Sequence, residues 1–594
     1  MERRLLLAIV LVFIVLTAYQ WLVPMAQPVA PAPASQATAP GVTASAPTNP
    51  AAAEAAPTPA SPALPADAAP AAEVVVGDAA ERTVTVENGV VRAVFSNRGA
   101  TLVAWELLRY LGPDGKPVDL VPRDVPASQP KPFSLRLDDA AKTARVNSAF
   151  FMTQSTGSLN AGSAPVTLSF EYQEAAGLHA RKQFVFKPNS YDVTLTVDLT
   201  EGEHRLNPFV QSGPGLGDVL ASGGRTMFRN VRNSAALFSI GGDVERIQAA
   251  NLAKTPRYQG NYEFAGVDTH YFMSTAVKPG GSELEYHPLS IPSTAAGASV
   301  SRDYVGYDIR PQAAPDGPAT VRFFVGPKHF ETLRQADADL VRAIWFGMFS
   351  FLSVPLLAAL NWINGFVGNY GWSILVLTVL INAVMFPLRH KSFVSMRKMQ
   401  EIQPQVKMVQ DRYAKLKMSD PARQKMNTEL MDLYRAKGVN PASGCVPMLL
   451  TFPVLLAFYG LLSEAVELRG APFMLWIHDL SVADPYYVTP ILMGLSQMAQ
   501  QRMAPAQMDP AQQKMMMIMP VVFTFLFITS PSGLALYWLA SNVLLIGQQV
   551  LTNYIIGPPD IRVPRTPAER RLKKVGEGKT DAAAESPEPM EKQP

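Results

Sequence analysis

Five apolar stretches in the C-terminal third, at Tyr370–Leu388, Cys445–Ala465, Val488–Met503, Met516–Ser530 and Gly533–Ile556, constrain this chain more than any other feature. A helix of about 20 apolar residues crosses the ~30 Å hydrocarbon core of a bilayer. Within that core a segment must satisfy its own backbone N–H and C=O groups. A bundle of crossing helices follows. Pro531-Ser532 alone divides the last two stretches and makes a tight turn. A sixth stretch, Leu5–Val23, follows Arg3 and Arg4. It is longer than an ordinary signal-peptide core and lacks an A-x-A cleavage pattern, so residues 1–26 read as an uncleaved anchor.

Basic residues collect in loops that face the cytoplasm. Arg389, Lys391, Arg397, Lys398, Lys407, Arg412, Lys415, Lys417 and Arg423 crowd the loop after Leu388, and Arg562, Arg565, Arg570 and Arg571 follow Ile556. The loop Glu467–Tyr487 has Arg469 as its one Lys or Arg. Six spans with both termini in the cytoplasm satisfy every segment. The whole-chain mean hydropathy of +0.07 hides this, because it averages the apolar C-terminal part with a polar middle.

That middle lies between spans one and two, outside the membrane. Residues 27–73 are nearly all Ala, Pro, Ser and Thr, too poor in apolar surface to offset the entropy of ordering, and read as a disordered tether. From 74 to 330 the chain has strand chemistry at Arg82–Val86, Val90–Phe95, Val166–Tyr172, Gln183–Phe186, Tyr191–Leu199 and Thr320–Val325. Thr194 to Leu199 alternates polar and apolar, as an antiparallel strand with one wet face does. A large periplasmic β-sandwich is expected. Residues 331–369 mix tryptophans, aliphatics and Pro355, which suits an amphipathic helix lying in the interface. Residues 370–388 form the second span, and spans three to six occupy 445–556, followed by a basic cytoplasmic tail over 557–594.

Between them, residues 389–444 read as a cytoplasmic helical hairpin. Met399, Ile402, Val406, Val409, Tyr413 and Leu416 recur at three- and four-residue steps, a heptad seam. Pro421 suits the first turn of a second helix, on which Met426, Leu430 and Leu433 face that seam. The exposed cations Arg397, Lys398, Lys407, Arg412 and Lys415 suit either plain solvation or anionic lipid heads and ribosomal RNA.

Catalytic chemistry finds little support. No G-x-S-x-G, H-E-x-x-H, C-x-x-C or Walker loop occurs, and the seven histidines show no metal-ligand spacing. Cys445 is the single cysteine, which excludes an intramolecular disulfide and a Cys-rich metal site. Gly213-Pro214-Gly215-Leu216-Gly217 has no strand-to-helix context and reads as a surface loop. Trp105, Tyr172 and Tyr262 could serve a sugar-binding β-domain, although core packing is the plainer reading.

Several motifs in the C-terminal third resemble the YidC/Oxa/Alb family of membrane-protein insertases. They are Gly438-Val439-Asn440-Pro441 leading to Gly444-Cys445-Val446-Pro447, and Glu467-Leu468-Arg469-Gly470-Ala471-Pro472-Phe473 running into Leu475-Trp476-Ile477-His478-Asp479-Leu480. Asp484-Pro485-Tyr486-Tyr487, Pro490-Ile491-Leu492-Met493-Gly494, Pro531-Ser532-Gly533-Leu534 and Tyr537-Trp538 with Ser541-Asn542 continue the series in order. The architecture is similar to the Gram-negative branch.

The resemblance implies an inner-membrane insertase and folding chaperone, not an enzyme. Five core helices would surround a groove open to cytoplasm and lipid, with no cofactor. The implied partners are nascent and newly made membrane proteins, membrane lipids, the Sec translocon and the ribosome, and not DNA. A small-solute transporter or channel is the competing reading. Polar residues inside spans are costly and mark such a groove; the candidates are Thr378, Asn382, Thr451, Tyr537, Trp538 and Asn542, with the glutamines among Gln497, Gln500, Gln501, Gln548 and Gln549 that lie near span ends read as interhelical glue. A hydrophobic slide is implied at Phe452, Leu455, Phe523 and Phe527. In bacterial members a cation, usually arginine, stands four residues after the threonine matching Thr378; here that position is Asn382. With no Lys or Arg from Gly371 to Leu388, the groove is expected to be a neutral, hydrated slot with weak charge discrimination.

Overall fold

The alternation at Thr194–Leu199 becomes the centre of a sheet. Val193, Leu195, Val197 and Leu199 are buried while Thr194 and Thr196 keep partial exposure, the two-residue period of a pleated strand. This strand, Asp192–Glu201, pairs antiparallel with Leu178–Phe186 on one side and Ala319–Pro327 on the other. In the computed structural model it lies within a 13-stranded sheet, and a 5-stranded sheet runs from Pro117–Asp119 at one edge to Gly157–Asn160 at the other. The described residues are 74–112, 114–155, 157–218, 234–252, 256–295, 298–312, 317–413, 422–439, 446–503 and 510–557. The expected anchor, tether and basic tail fall outside them, as does Lys415.

The two sheets meet through aromatic side chains. The Phe95 ring lies 4.6 Å from that of Phe184, and Trp105 lies 6.1 Å from Phe186 while its Nε1 donates to the Val325 carbonyl at 2.9 Å. Trp105, Tyr172 and Tyr262 are all buried, so each is core. The longest strand, Phe272–Ala295, escaped the sequence reading because Gly280-Gly281, Pro288 and Pro292 look like breakers. Its pairing with Arg257–Asp268 ends at Glu285. Both prolines therefore sit where no neighbour on that side needs an N–H.

A lysine ties the sheets together. Lys182 is fully buried, and its Nζ donates to the carbonyls of Gly99 at 2.6 Å, Phe133 at 2.7 Å and Ala100 at 3.4 Å. Three donors meet three acceptors. Burial pushes this ammonium down to about 7.

In the C-terminal half, α1 (Phe330–Ala336) and α2 (Ser350–Val367) lead to α3 (Tyr370–Arg412), a 43-residue helix. The expected second span and the first arm of the hairpin are thus one helix. It is followed by α4 (Ala422–Ala436), α5 (Val446–Glu464), α6 (Val488–Met503), α7 (Pro510–Phe527) and α8 (Ser532–Ile556). Among the described residues, Gly347–Val367, Tyr370–Arg412 and Ser532–Ile555 are long and apolar enough to cross a membrane, with shorter apolar helices at Phe452–Glu464 and Met517–Phe527. The heptad seam packs: Met399, Ile402 and Val406 are buried with Val439 against Leu430, Leu433 and Tyr434.

The sheet domain is fastened to the helices by polar contacts around the end of α5. His270 Nε2 meets the Ser463 carbonyl at 2.9 Å, the Glu467 carboxylate accepts from the Phe330 N–H at 3.0 Å, and Arg469 lies over the rings of Tyr271 and Phe272. Replacing Lys182 by Met strands buried carbonyls, each costing about 1–3 kcal/mol, and a clear loss of stability is expected in urea titrations of the whole protein in detergent. The unfolded chain binds more protons than the folded one between about pH 7 and the ordinary lysine range near 10.4. Wild-type stability therefore rises with pH across that window and is flat below it; the Lys182→Met protein loses this slope.

Candidate functional site

On α3 the helical period puts Thr378, Asn382 and Arg389 on one face, the last pair seven residues and two turns apart. All three are buried. The Thr378 hydroxyl donates to the Ile374 carbonyl at 2.6 Å, and Asn382 Nδ2 donates to the Thr378 carbonyl at 2.7 Å. That bond fixes the amide, so Asn382 Oδ1 points along the helix toward Arg389. There it accepts a hydrogen bond from the Arg389 guanidinium, whose other terminal nitrogen contacts Met385 Sδ at 3.8 Å. This corrects the expectation of a neutral slot: a cation reaches Asn382 from the residue just beyond the apolar stretch. Hydropathy closes the span at Leu388, but the helix continues to Arg412 and carries the cation with it.

The neighbouring helices converge on this face. On α8, Tyr537 stacks flat on Phe458 of α5, with centroids 4.2 Å apart and planes 7° from parallel. Gln548 of α8 donates to the Phe386 carbonyl of α3 at 3.4 Å. Asn542 turns the other way, donating to the Met493 carbonyl at 3.3 Å and to Ser496 Oγ at 3.1 Å, and Gln549 donates to the Met503 carbonyl at 2.6 Å. Asn542 therefore ties α8 to α6. The two glutamines behave as expected for interhelical glue.

Trp538 departs from the groove set. Its ring packs 4.9 Å from Phe527 and 5.5 Å from Phe523, joining the expected slide residues of α7. Of those, Phe452 is exposed, Leu455 and Phe523 are half-buried and Phe527 is buried, so Phe527 supports the surface from beneath. The side chain of Thr451 lies outside the described set. Among the hairpin cations, Lys398 and Lys407 are exposed, Arg412 pairs with Glu429 at 3.2 Å, and Arg397 is buried. Buried polar atoms without a partner among the described residues include Arg397 Nη1, Gln497 Oε1 and Thr552 Oγ1. No group of His, Cys, Asp or Glu suited to a metal occurs among the described residues.

At the opposite end, the loop between α5 and α6 forms a compact cap. Asp484 accepts from the Trp476 indole at 3.0 Å, from the N–H groups of Tyr486 at 3.0 Å and Thr489 at 2.8 Å, and from the Thr489 hydroxyl. Burial alone would raise its carboxyl; the hydrogen bonds outweigh this and hold it below the usual carboxylate range. Gly371 faces Phe473 so closely that a Cβ would fall 2.1 Å from the ring.

Comparison with known proteins decides the family. Residues 83–359 match the model of the YidC periplasmic domain, and residues 362–558 match that of the 60 kDa inner membrane protein. A protein of Geotalea uraniireducens named membrane protein insertase YidC is 34% identical over 576 residues, covering 93% of this chain and 99% of its own. The chain belongs to the YidC family. A relative of the same name from Geobacter metallireducens is also 34% identical, over 95% of this chain and all of its own. A solved YidC insertase structure with its first transmembrane segment resolved aligns over 81% of this chain at 18% identity, with a TM-score of 0.33. The family is one of insertases rather than enzymes, and its members are inner-membrane proteins with a periplasmic domain.

Close helix approach is the feature most exposed to mutation. A Cβ on Gly494 of α6 would sit 1.8 Å from the Thr524 hydroxyl of α7, a small-residue contact of the kind that lets membrane helices touch. Gly494→Val is expected to cost about 1–3 kcal/mol by overpacking. The check is a lower midpoint of thermal unfolding in detergent, with Gly547→Val, where nothing lies within 4 Å of the added Cβ, as the tolerant control.

Proposed function

We propose that this chain inserts and helps fold integral membrane proteins, using the buried face of α3 with Tyr537 as the wall of a polar groove in the bilayer. The observation that carries this is the run of polar contacts from Thr378 through Asn382 to Arg389 inside a helix otherwise apolar enough to span. Such groups are retained in hydrocarbon where they meet water or a partner. A substrate tail entering there would cross part of the membrane beside hydrogen-bonding groups instead of lipid, which lowers its desolvation cost. The slide, with Phe452 exposed and Phe523 half-buried, offers the apolar surface for the following helix.

Several contacts support the arrangement around that groove. Phe346, just before α2, approaches Gly460 of α5, Ser353 donates to the Ala457 carbonyl at 2.9 Å, and Asn369, just after α2, donates to the carbonyls of Pro472 and Phe473. Both ends of α2 thus meet the α5 end and its cap, which favours a helix lying along the interface. Its exposed Phe351, Trp362 and Phe366 suit the headgroup boundary. Buried polar atoms of Arg397, Gln497 and Thr552 that have no partner among the described residues favour water between these helices. In this reading the chain has six spans and cytoplasmic termini, and the α3–α4 hairpin faces the cytoplasm, where Lys398 and Lys407 serve lipid heads or a ribosome. Work alongside the Sec translocon and independently of it belongs to the same reading.

Reconstitution of the whole protein in liposomes with short single-span substrates tests the proposal. Protease protection of the substrate tails well above that of empty liposomes is expected; protection at the empty-liposome level would refute it. Solute flux through the same vesicles without insertion would replace it with a transporter.

A further inference from the structure

Strand Thr101–Leu111 of the 5-stranded sheet advances toward the helices. Its Trp105 is level with Val325, whose carbonyl takes the indole N–H at 2.9 Å. Further along, the Tyr110 ring stands 5.7 Å from that of Phe272, the strand partner of Pro327. Arg469 of the cap lies on the same Phe272 ring at 5.0 Å, and just beyond Pro327 the Phe330 N–H meets Glu467. Leu111 and the turn that follows it therefore extend past the last strand pair to the level where α5 ends. With the sheet domain periplasmic and the helices in the inner membrane, that level is the outer headgroup layer.

A pleated strand sends successive side chains to opposite faces. Tyr110 points inward to Phe272, so Arg109 and Leu111 share the outer face, where both are exposed, Leu111 at 58%. The chain then reverses tightly: the Gly112 N–H donates to the Lys116 carbonyl at 2.8 Å, the Gly115 N–H to the Gly112 carbonyl at 3.0 Å and the Lys116 N–H to Asp114 Oδ1 at 3.2 Å. This returns an exposed Lys116 to the same tip. A single exposed leucine is ordinary on a protein surface. One flanked by two cations at the tip of a braced hairpin, level with a membrane boundary, matches the make-up of segments that lie in the lipid interface. Asp114 is the one carboxylate at the tip, and the two cations outweigh it.

We infer that Arg109, Leu111 and Lys116 form a finger of the sheet domain that binds the outer leaflet, with Leu111 among the uppermost acyl carbons and the two cations on the phosphates of anionic phospholipids. Arg109 can present two N–H groups to one phosphate, and Lys116 offers a point charge. The finger gives the domain a second support besides the junction at Glu467. It requires only that the helices cross the membrane beneath the domain, and it stands whether or not the chain inserts substrates.

The test uses the full-length protein in lipid nanodiscs, with Cys445→Ser as background and one environment-sensitive fluorophore attached through Leu111→Cys or Glu203→Cys. Glu203 is exposed and lies at the far end of the domain, because strand Asp192–Glu201 pairs Asp192 with Phe324 and Val197 with Ala319 and so runs away from the helices. In discs of phosphatidylglycerol and phosphatidylethanolamine, a lipid with a nitroxide on its headgroup is expected to quench the label at 111 about threefold more than that at 203, while aqueous iodide does the reverse. Arg109→Glu/Lys116→Glu, or discs of phosphatidylcholine alone, lower the lipid quenching at 111 about twofold and leave 203 unmoved. Equal quenching at the two sites would overturn the inference by placing the finger in water. Protection from iodide without lipid quenching would overturn it by placing the finger against protein. Quenching at 111 that survives both the charge reversal and the change of lipid would overturn the assignment to anionic headgroups.

Discussion

A polar atom in hydrocarbon has no water to turn to, and leaving it unpaired costs more there than anywhere on a surface. The helical half of this chain is organised by that constraint. Asn542 and Gln549 of α8 donate to carbonyls in the middle and at the end of α6, respectively, and Gln548 donates to α3. Three helices are thereby held by side-chain-to-backbone bonds, where packing among apolar chains in lipid would give little preference for one neighbour over another. The same rule makes the Thr378–Asn382–Arg389 run meaningful, because each member answers a need created by the one before it.

The periplasmic and membrane halves are joined by the same economy of polar groups. Lys328 pairs with Asp268 at 3.0 Å and caps the Thr269 carbonyl at 2.6 Å, while Arg246 holds Asp268 at 2.9 Å and reaches the Ala343 carbonyl at 2.7 Å. Both cations belong to the sheet domain or its exit. Glu467, placed just after α5, then receives the first N–H of α1. A carboxylate at a helix start also meets the favourable end of its dipole. The two cations thus hold the exit of the sheet domain and the segment before α2, and the Phe330–Glu467 bond ties that exit to the end of α5.

Much of this was legible in the sequence, for identifiable reasons. Strand Asp192–Glu201 announced itself by strict alternation, and the seam of Met399, Ile402 and Val406 by heptad spacing, because each pattern matches one periodicity. Phe272–Ala295 did not, since its prolines and glycines are tolerated only through a pairing on the far side that the sequence cannot display. Asn382 stood out as an amide in an apolar run. The direction in which Asn542 and Trp538 point could not be read, because both lie on a helix with neighbours on several faces, and the choice of face is made by α6 and α7.

The misreading of Arg389 has a more general cause. Hydropathy closes a span at its first charge, yet the cost of a charge depends on where its end group lies rather than where its Cα lies. A long side chain leaning toward the helix N-terminus moves its charge back by more than a turn. At the inner end of an outside-to-inside helix that lean leads into the membrane, whereas at the inner end of an inside-to-outside helix it leads to water. In the proposed orientation Arg389, on a helix that runs through Pro387 without a break, is of the first kind. In the same proposed orientation Arg502, near the end of α6, has that sense too but is exposed. What separates them is the waiting acceptor: Asn382 stands two turns above Arg389 on the same face, and the residue seven before Arg502 is the apolar Leu495. Direction permits the cation to turn inward, and the amide makes it do so.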